Sequence, residues 1–155
     1  MKHPAIEKLE KQALLDRIAE LEEQVEHEKE FPQVEDDYWY VDGDAEVMLA
    51  VWYGDDYDKG RVSIENVFKT KEQADFAVEK LKVEAELRKF SRPFEIYGTN
   101  YYLYFAKDDG FIGIACLTTS LAQGAIYFES ENKAQQAIQS VGEERIKKYL
   151  FGVED

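Results

Sequence analysis

Clustered aspartates are the residues of this chain whose type and spacing most resemble those of a functional site. They occur in three loop-like stretches, at 42–44, 55–58 and 108–110. Calcium loops place carboxylates at alternate positions and close with a glutamate at the twelfth. Asp56, Asp58 and Gly60 imitate the start of such a loop, but Val67 stands where the closing glutamate would be. Since aspartate also favours turns, we expect turns here and no metal site.

A catalytic constellation is not evident. Paired carboxylates can serve a hydrolase as acid and base, but nothing in the sequence marks one aspartate as buried. The single cysteine, Cys116, lies in the apolar stretch 111–117, far in sequence from the two histidines, His3 and His27. A thiol nucleophile needs such a base nearby. We therefore predict a small buried Cys116, no intrachain disulfide, no catalytic residue and no cofactor.

Aromatic residues are concentrated in the predicted strands. They are Tyr38, Trp39, Tyr40, Trp52, Tyr53, Tyr101, Tyr102 and Tyr104. Strand aromatics can stack on RNA bases, but the chain carries 33 acidic and 19 basic residues and a formal net charge of -14. Such a charge repels nucleic acid phosphates and anionic membranes. The aromatics are better explained as core residues and as anchors of a protein-binding face. The acidity serves either solubility or recognition of a basic partner, and the sequence leaves both open.

An internal repeat indicates the elements that hold these residues. The stretch 67–81 matches 127–141, so that Phe68 corresponds to Phe128 and Thr70 to Ser130. Thr70 and Ser130 are each placed to cap a helix, and Gln73 completes a capping box with Thr70.

The units around this repeat predict an α+β fold. In the unit 38–90, strands at 38–41, 47–53 and 61–68 flank a polar loop at 54–60 and precede the first helix. In the unit 97–155, strands at 101–105, 111–117 and 125–128 precede a helix that Gly142 ends and a last helix at 143–150. The order is a pseudo-duplicated β-β-β-α arrangement with antiparallel sheet. Because the connection between the units is short, we expect one globular domain over 38–155.

The N-terminal segment 1–30 is predicted to be an amphipathic helix. Leu14, Ile18, Leu21 and Val25 follow one another at spacings of four, three and four, which is a short heptad seam. This seam either forms a dimerisation stalk with a second copy, parallel or antiparallel, or docks on the chain's own domain.

Targeting signals are not expected. No apolar stretch follows the N-terminal residues as in a signal peptide, and none approaches the length that spans a bilayer. We expect a soluble protein that stays where it is made.

Several runs resemble a known group of proteins. They are SIENVFKTKEQA at 63–74, the helix at 77–90, NYYLY at 100–104 and GEERIKKY at 142–149. The chain resembles small acidic proteins encoded by bacteriophages and prophages of Gram-positive bacteria. The resemblance implies a protein without enzymatic activity, in the cytoplasm of an infected host, that binds a host protein. Such proteins often block a nucleic-acid-handling system such as a CRISPR nuclease, with an acidic face in a basic groove.

We therefore expect a phage counter-defence protein that grips a basic host protein and does not bind nucleic acid directly. The predicted partner-binding residues are Trp52, Tyr53, Asp55, Asp56, Asp58, Asp108 and Asp109. The alternative is a phage structural or assembly protein that forms a homo-oligomer through Leu14, Ile18, Leu21 and Val25. An enzyme is the third and weakest class.

Overall fold

A long N-terminal helix and two β-hairpins with accompanying helices make up this α+β structure. The computed structural model describes residues 4–28, 30–122 and 124–154. His3 and the other residues before Pro4, the side chain of His27, the predicted helix position Lys29, the predicted loop position Gln123 and the C-terminal Asp155 lie outside the described residues. The elements are α1 (Pro4–Glu28), β1 (Asp37–Val41), β2 (Val47–Val51), α2 (Asp56–Ser63), α3 (Lys71–Arg88), β3 (Asn100–Ala106), β4 (Phe111–Leu117), α4 (Glu131–Val141), α5 (Glu143–Arg145) and the π-helical turn α6 (Ile146–Leu150).

The hairpins form two separate antiparallel sheets, β1 with β2 and β3 with β4. The first turn is held by Asp42, whose Oδ1 accepts hydrogen bonds from the backbone N–H groups of Asp44 and Glu46, at 2.9 Å each. The second turn ends at Gly110, which adopts a φ of 69° that glycine tolerates best. The prediction of turns at the aspartates of 42–44 and 108–110 is confirmed.

The predicted third strands are not formed, so the pseudo-duplicated β-β-β-α arrangement is not confirmed. Residues 61–63 belong to α2. One isolated antiparallel bridge stands in place of each strand, joining Trp39 to Phe68 and Tyr101 to Phe128. In the second unit the N–H group of Ala125 donates to the carbonyl oxygen of Ala122, and Gly124 adopts a φ of 72° at the start of the predicted strand. Local turn and helix signals therefore outweighed the apolar content of both stretches.

The two predicted helix caps are present. Thr70 forms a complete capping box with Gln73 at the start of α3, and Ser130 accepts a hydrogen bond from the N–H group of Lys133 at the start of α4. Gly142 ends α4 with a φ of 97°.

The apolar core lies mainly around the second hairpin. Its buried members come from α3, β4, α4 and α6 and from the bridge residue of the second hairpin: Val83, Leu87, Ile112, Phe128, Ala134, Ala137, Ile138, Val141 and Ile146. Because α3 also contacts β1 and β2, its buried residues do not follow one straight stripe. Leu81 is exposed, whereas Val83 is buried. Outside this core, Arg145 forms a bidentate ion pair with Glu86 at 3.0 and 3.1 Å, which joins α5 to α3.

Helix α1 has no part in this core. Its side chains from residue 4 to residue 25 are all exposed, so docking on its own domain is not observed. None of the helices formed by the described residues is long and apolar enough to cross a membrane.

Candidate functional site

Helix α2 begins inside the predicted polar loop, and Asp55 explains why. Its backbone is extended and its Oδ1 accepts a hydrogen bond from the N–H group of Asp58 at 2.9 Å. Such a cap satisfies an N–H group that the first turn leaves without a helical partner. Asp56 and Asp58 then lie in the first turn, where the helix dipole favours negative charge. The prediction of a polar loop over 54–60 is wrong from residue 56 onward, where α2 begins.

Asp58 is buried and receives hydrogen bonds on both carboxylate oxygens. It is only 3% exposed. Its Oδ1 accepts from the Tyr38 hydroxyl at 2.6 Å, and its Oδ2 accepts from the N–H groups of Tyr53 and Gly54 at 2.8 and 2.9 Å. Burial alone would raise the pKa of Asp58, but these hydrogen bonds outweigh burial and hold the pKa below its ordinary value. Asp58 therefore carries a stable buried charge.

Arg61 supplies the opposite charge. Its Nη1 donates to the Tyr38 hydroxyl at 2.6 Å and lies 3.9 Å from Oδ1 of Asp58. Its guanidinium also stacks over the ring of Tyr40, 3.6 Å from the ring centre. Tyr38 is fully buried, and burial together with its hydrogen bond to Asp58 raises the pKa of Tyr38. We call Tyr38, Asp58 and Arg61 the Asp58 network.

The Asp58 network is closed. Among the side chains that the structure describes, at residues 4–25, 30–122 and 124–154, no buried nitrogen or oxygen lacks a hydrogen-bond partner. Its donors and acceptors are hydrogen-bonded to one another, so the geometry fits a structural role better than an acid–base site. The same described part of the chain contains no group of three or more acidic, histidine or cysteine side chains suited to a metal ion.

An exposed surface lies beside the Asp58 network. Tyr53 is 67% and Tyr57 is 78% exposed, and Asp55 and Asp56 lie between them in sequence and are exposed as well. We call these four residues the Tyr53–Tyr57 surface. The neighbouring Trp52 is half-buried, with its ring edge-on to Tyr38 at 5.9 Å.

The structure thus separates the predicted partner-binding residues. Tyr53, Asp55 and Asp56 lie together on the Tyr53–Tyr57 surface. Asp58, which was predicted to face a partner, is buried beneath it because it binds the N–H groups of Tyr53 and Gly54. Asp108 and Asp109 are exposed in the turn of the second hairpin, between β3 and β4.

A second buried polar residue, Asn100, was missed by the sequence analysis. It is fully buried, and its Oδ1 accepts from Nη1 of Arg92 and from the N–H group of Glu95, both at 2.8 Å. Its Nδ2 donates to the carbonyl oxygens of Glu95, Gly98 and Leu117. The one signal in the sequence was an asparagine directly before an aromatic strand. Asn100 precedes the bridge residue Tyr101, just as Tyr38 precedes the bridge residue Trp39.

The predicted oligomerisation residues form an exposed row on α1. Leu14, Ile18, Leu21 and Val25 are 65%, 50%, 43% and 58% exposed. Cys116, predicted to be buried, is exposed because neighbouring strand residues point to opposite faces of a sheet.

An open groove of about 900 Å³ lies between α3 and the C-terminal segment. Phe76 and Tyr149 pack together in it with ring centres 5.1 Å apart. Two of its acidic residues, Asp75 and Glu79, are paired with Lys71 and Lys82. The charged residues that also line the groove are of both signs: Glu72, Glu154, Lys80 and Lys148.

Comparison of the chain with known protein families, with curated proteins and with solved structures gave no significant match. What bears on function is therefore the geometry of the chain itself.

Proposed function

We propose that this chain is a non-enzymatic accessory protein of a bacteriophage that binds a basic host protein in the cytoplasm of an infected bacterium. By occupying a basic groove, it would block a nucleic-acid-handling defence system such as a CRISPR nuclease. The observation that carries this proposal is the Tyr53–Tyr57 surface, where two exposed tyrosines flank two exposed aspartates. The net charge of -14 favours encounter with a basic partner.

The Tyr53–Tyr57 surface is held in place before any partner binds. The N–H groups of Tyr53 and Gly54 are hydrogen-bonded to buried Asp58, and Asp55 caps α2. A surface fixed in this way loses less conformational entropy on binding. Tyrosine contributes a large apolar area and a polar hydroxyl, and for this reason it often anchors interfaces.

Single substitutions on this surface test the proposal. Tyr57→Ala and Asp56→Lys leave the Asp58 network intact, whereas Asp55→Lys would also remove the cap of α2. In pull-downs from host lysate at low salt, the unmodified chain should retain a basic nucleic-acid enzyme. Each of the two variants should bind that enzyme roughly tenfold or more weakly. The matched control, Glu129→Lys, makes the same charge change at an exposed carboxylate far along the chain and should bind normally.

Other results would contradict the proposal or place the binding face elsewhere on the chain. If no basic enzyme is retained at low salt, host binding through an acidic face is wrong. If Asp109→Lys abolishes binding while Tyr57→Ala does not, the binding face is the turn of the second hairpin.

A phage structural or assembly protein is the second candidate function. It is favoured by the exposed apolar row on α1, which finds no cover on the chain's own domain. Light scattering should then give a homo-oligomer, in the simplest case a dimer, and the Ile18→Glu variant should be monomeric because it places charge in the seam. A monomeric unmodified chain would contradict this function.

We also infer that one folding unit is used twice in the chain. Support comes from the two bridges, in which Trp39 with Phe68, and Tyr101 with Phe128, exchange hydrogen bonds in both directions. A helix cap follows each bridge two residues later, at Thr70 and Ser130. Amide hydrogen exchange tests the inference, because the N–H groups of both bridges should be protected. Rapid exchange at one bridge alone would contradict a shared unit.

A further inference from the structure

Helix α1 exposes apolar side chains along most of its length. Its large apolar side chains are between 43% and 71% exposed: Ile6, Leu9, Leu14, Leu15, Ile18, Leu21 and Val25. Helices in proteins gain most of their stability by packing an apolar face, and less from the intrinsic propensity of their residues. The row on α1 therefore needs a partner surface of matching periodicity.

We propose that α1 pairs with α1 of a second copy as a parallel, in-register, two-stranded coiled coil over residues 14–25. Self-association through the seam rests on the second candidate function. The orientation of the helices and the number of strands are added by this inference.

The residue types in the seam fit this geometry. With Leu14 at a d position, Leu21 is also d, and Ile18 and Val25 are both a. Within parallel coiled coils, β-branched residues at a combined with leucine at d favour two strands. In that arrangement like packs against like, so that leucine meets leucine and the β-branched residues meet their own copies.

The charges beside the seam favour the same orientation. In this phase Arg17 is a g position and Glu22 is the e position five residues later. In a parallel pair these positions meet across the interface, so Arg17 would lie beside Glu22 of the partner subunit twice by symmetry. In the antiparallel alignment that brings Leu14 against Val25, Arg17 would instead lie near Gln24 and Glu22 near Leu15. Within residues 14–25, ion pairs at the e and g positions form only in the parallel arrangement. Beyond the seam, the antiparallel alignment would place Lys11 opposite Glu28.

The remaining features of α1 are compatible with this arrangement. Within one chain, Arg17 pairs with Glu20 at 2.9 Å, and both side chains are more than half exposed, so the guanidinium can turn toward a partner at little cost. Lys11 and Glu7 occupy the preceding a and d positions, and these charges end the seam on its N-terminal side.

The orientation has a consequence for binding. Because α1 precedes the rest of the chain, a parallel pair places both globular domains at the same end of the stalk. Two Tyr53–Tyr57 surfaces could then engage one partner assembly, and linked sites bind with higher avidity than either site alone.

Disulfide trapping in the full chain tests the orientation. The exposed Cys116 is first replaced by serine so that no native thiol cross-links. In a glutathione redox buffer, Leu14→Cys alone should form disulfide-linked dimers, since the two d residues face each other. An equimolar mixture of Leu14→Cys and Val25→Cys chains should form few mixed disulfides. Predominance of the mixed product would overturn the parallel orientation.

Exchanging the charges of Arg17 and Glu22 tests the orientation independently, with the dimer dissociation constant as the measured quantity. Arg17→Glu should weaken dimerisation about tenfold in sedimentation, because two attractive pairs become repulsive. Combining it with Glu22→Arg should restore the affinity of the unmodified chain. Failure of the double variant to recover would overturn the proposed Arg17–Glu22 contact. An unmodified chain that is monomeric would overturn the second candidate function itself, whereas a mixed disulfide would overturn only the orientation.

Discussion

The two hairpins share a backbone arrangement but are stabilised by different interactions. In the first, Phe68 at the bridge is only half-buried, and the buried Tyr38 is hydrogen-bonded to Asp58 and Arg61. In the second, Phe128 at the bridge is fully buried within the main apolar core. The second hairpin therefore combines apolar burial with the buried polar residue Asn100, whereas the first depends more on its buried polar groups. Tyr53 and Tyr57 are exposed near the Asp58 network.

The largest difference between the hairpins should appear at their bridge residues. Phe128→Ala should lower the free energy of unfolding by about 3–5 kcal/mol, because it opens a cavity in the core. Phe68→Ala is the matched substitution and should cost clearly less, since the side chain is already partly in water. Urea unfolding of both variants measures the two losses, and equal losses would remove the distinction between the hairpins.

The Asp58 network should be nearly as sensitive. Asp58→Ala leaves Arg61, the Tyr38 hydroxyl and two backbone N–H groups without their partner, and should cost about 3 kcal/mol. The control Asp44→Ala removes an exposed carboxylate from the first turn and should change stability by less than about 0.5 kcal/mol. Similar unfolding midpoints for the two variants would show that the network contributes little.

Acid should weaken the first hairpin through the same residue. The pKa of Asp58 is lower in the folded chain than its ordinary value, so its contribution is fully present above about pH 4 and is lost as the pH falls through the folded-state value. Glu86 and Glu143 also have lowered pKa values and add to acid destabilisation. Asp58→Asn should therefore show a shallower fall in stability with falling pH than the unmodified chain. An unchanged slope would contradict a charged Asp58.

The helix caps are where the two units should behave alike. Thr70→Ala and Ser130→Ala each remove a side-chain acceptor from a first-turn N–H group and should each cost about 1 kcal/mol. Thermal unfolding of the two variants beside the conservative Thr70→Ser measures this. A loss at one cap only would indicate that one helix is fixed by tertiary packing alone.

The smallest effect on stability is expected on the Tyr53–Tyr57 surface. Tyr57→Ala should change the free energy of unfolding by less than about 0.5 kcal/mol, because its side chain is 78% exposed. Together with the pull-down, this separates recognition from folding. A large loss of stability would mean that Tyr57 has a structural contact and that its binding data cannot be interpreted alone.

Patterns between near neighbours in the chain predicted much of the fold. The presence of an N-terminal helix, the two hairpins and the caps at Thr70 and Ser130 follow from apolar periodicity, aromatic strands, turn residues and the capping box. Helix α2 was missed because its eight residues carry no apolar stripe, and its start depends on the cap formed by Asp55. Tyr53, Asp55 and Asp56 of the candidate site were predicted, whereas Tyr57 was not singled out and Asp58 was placed on the wrong side of the surface.

The sequence by itself determined the local elements and the acidic, aromatic character of the chain, because capping, turn formation and periodicity act over a few residues. Only the tertiary structure decided which of the clustered aspartates would be buried. Asp58 lies twenty residues beyond Tyr38, and its charge is acceptable in the interior only where the Tyr38 hydroxyl, the N–H groups of Tyr53 and Gly54, and Arg61 all converge on it. Burial of a charge depends on several partners at once, and no spacing in the chain specifies that they will meet.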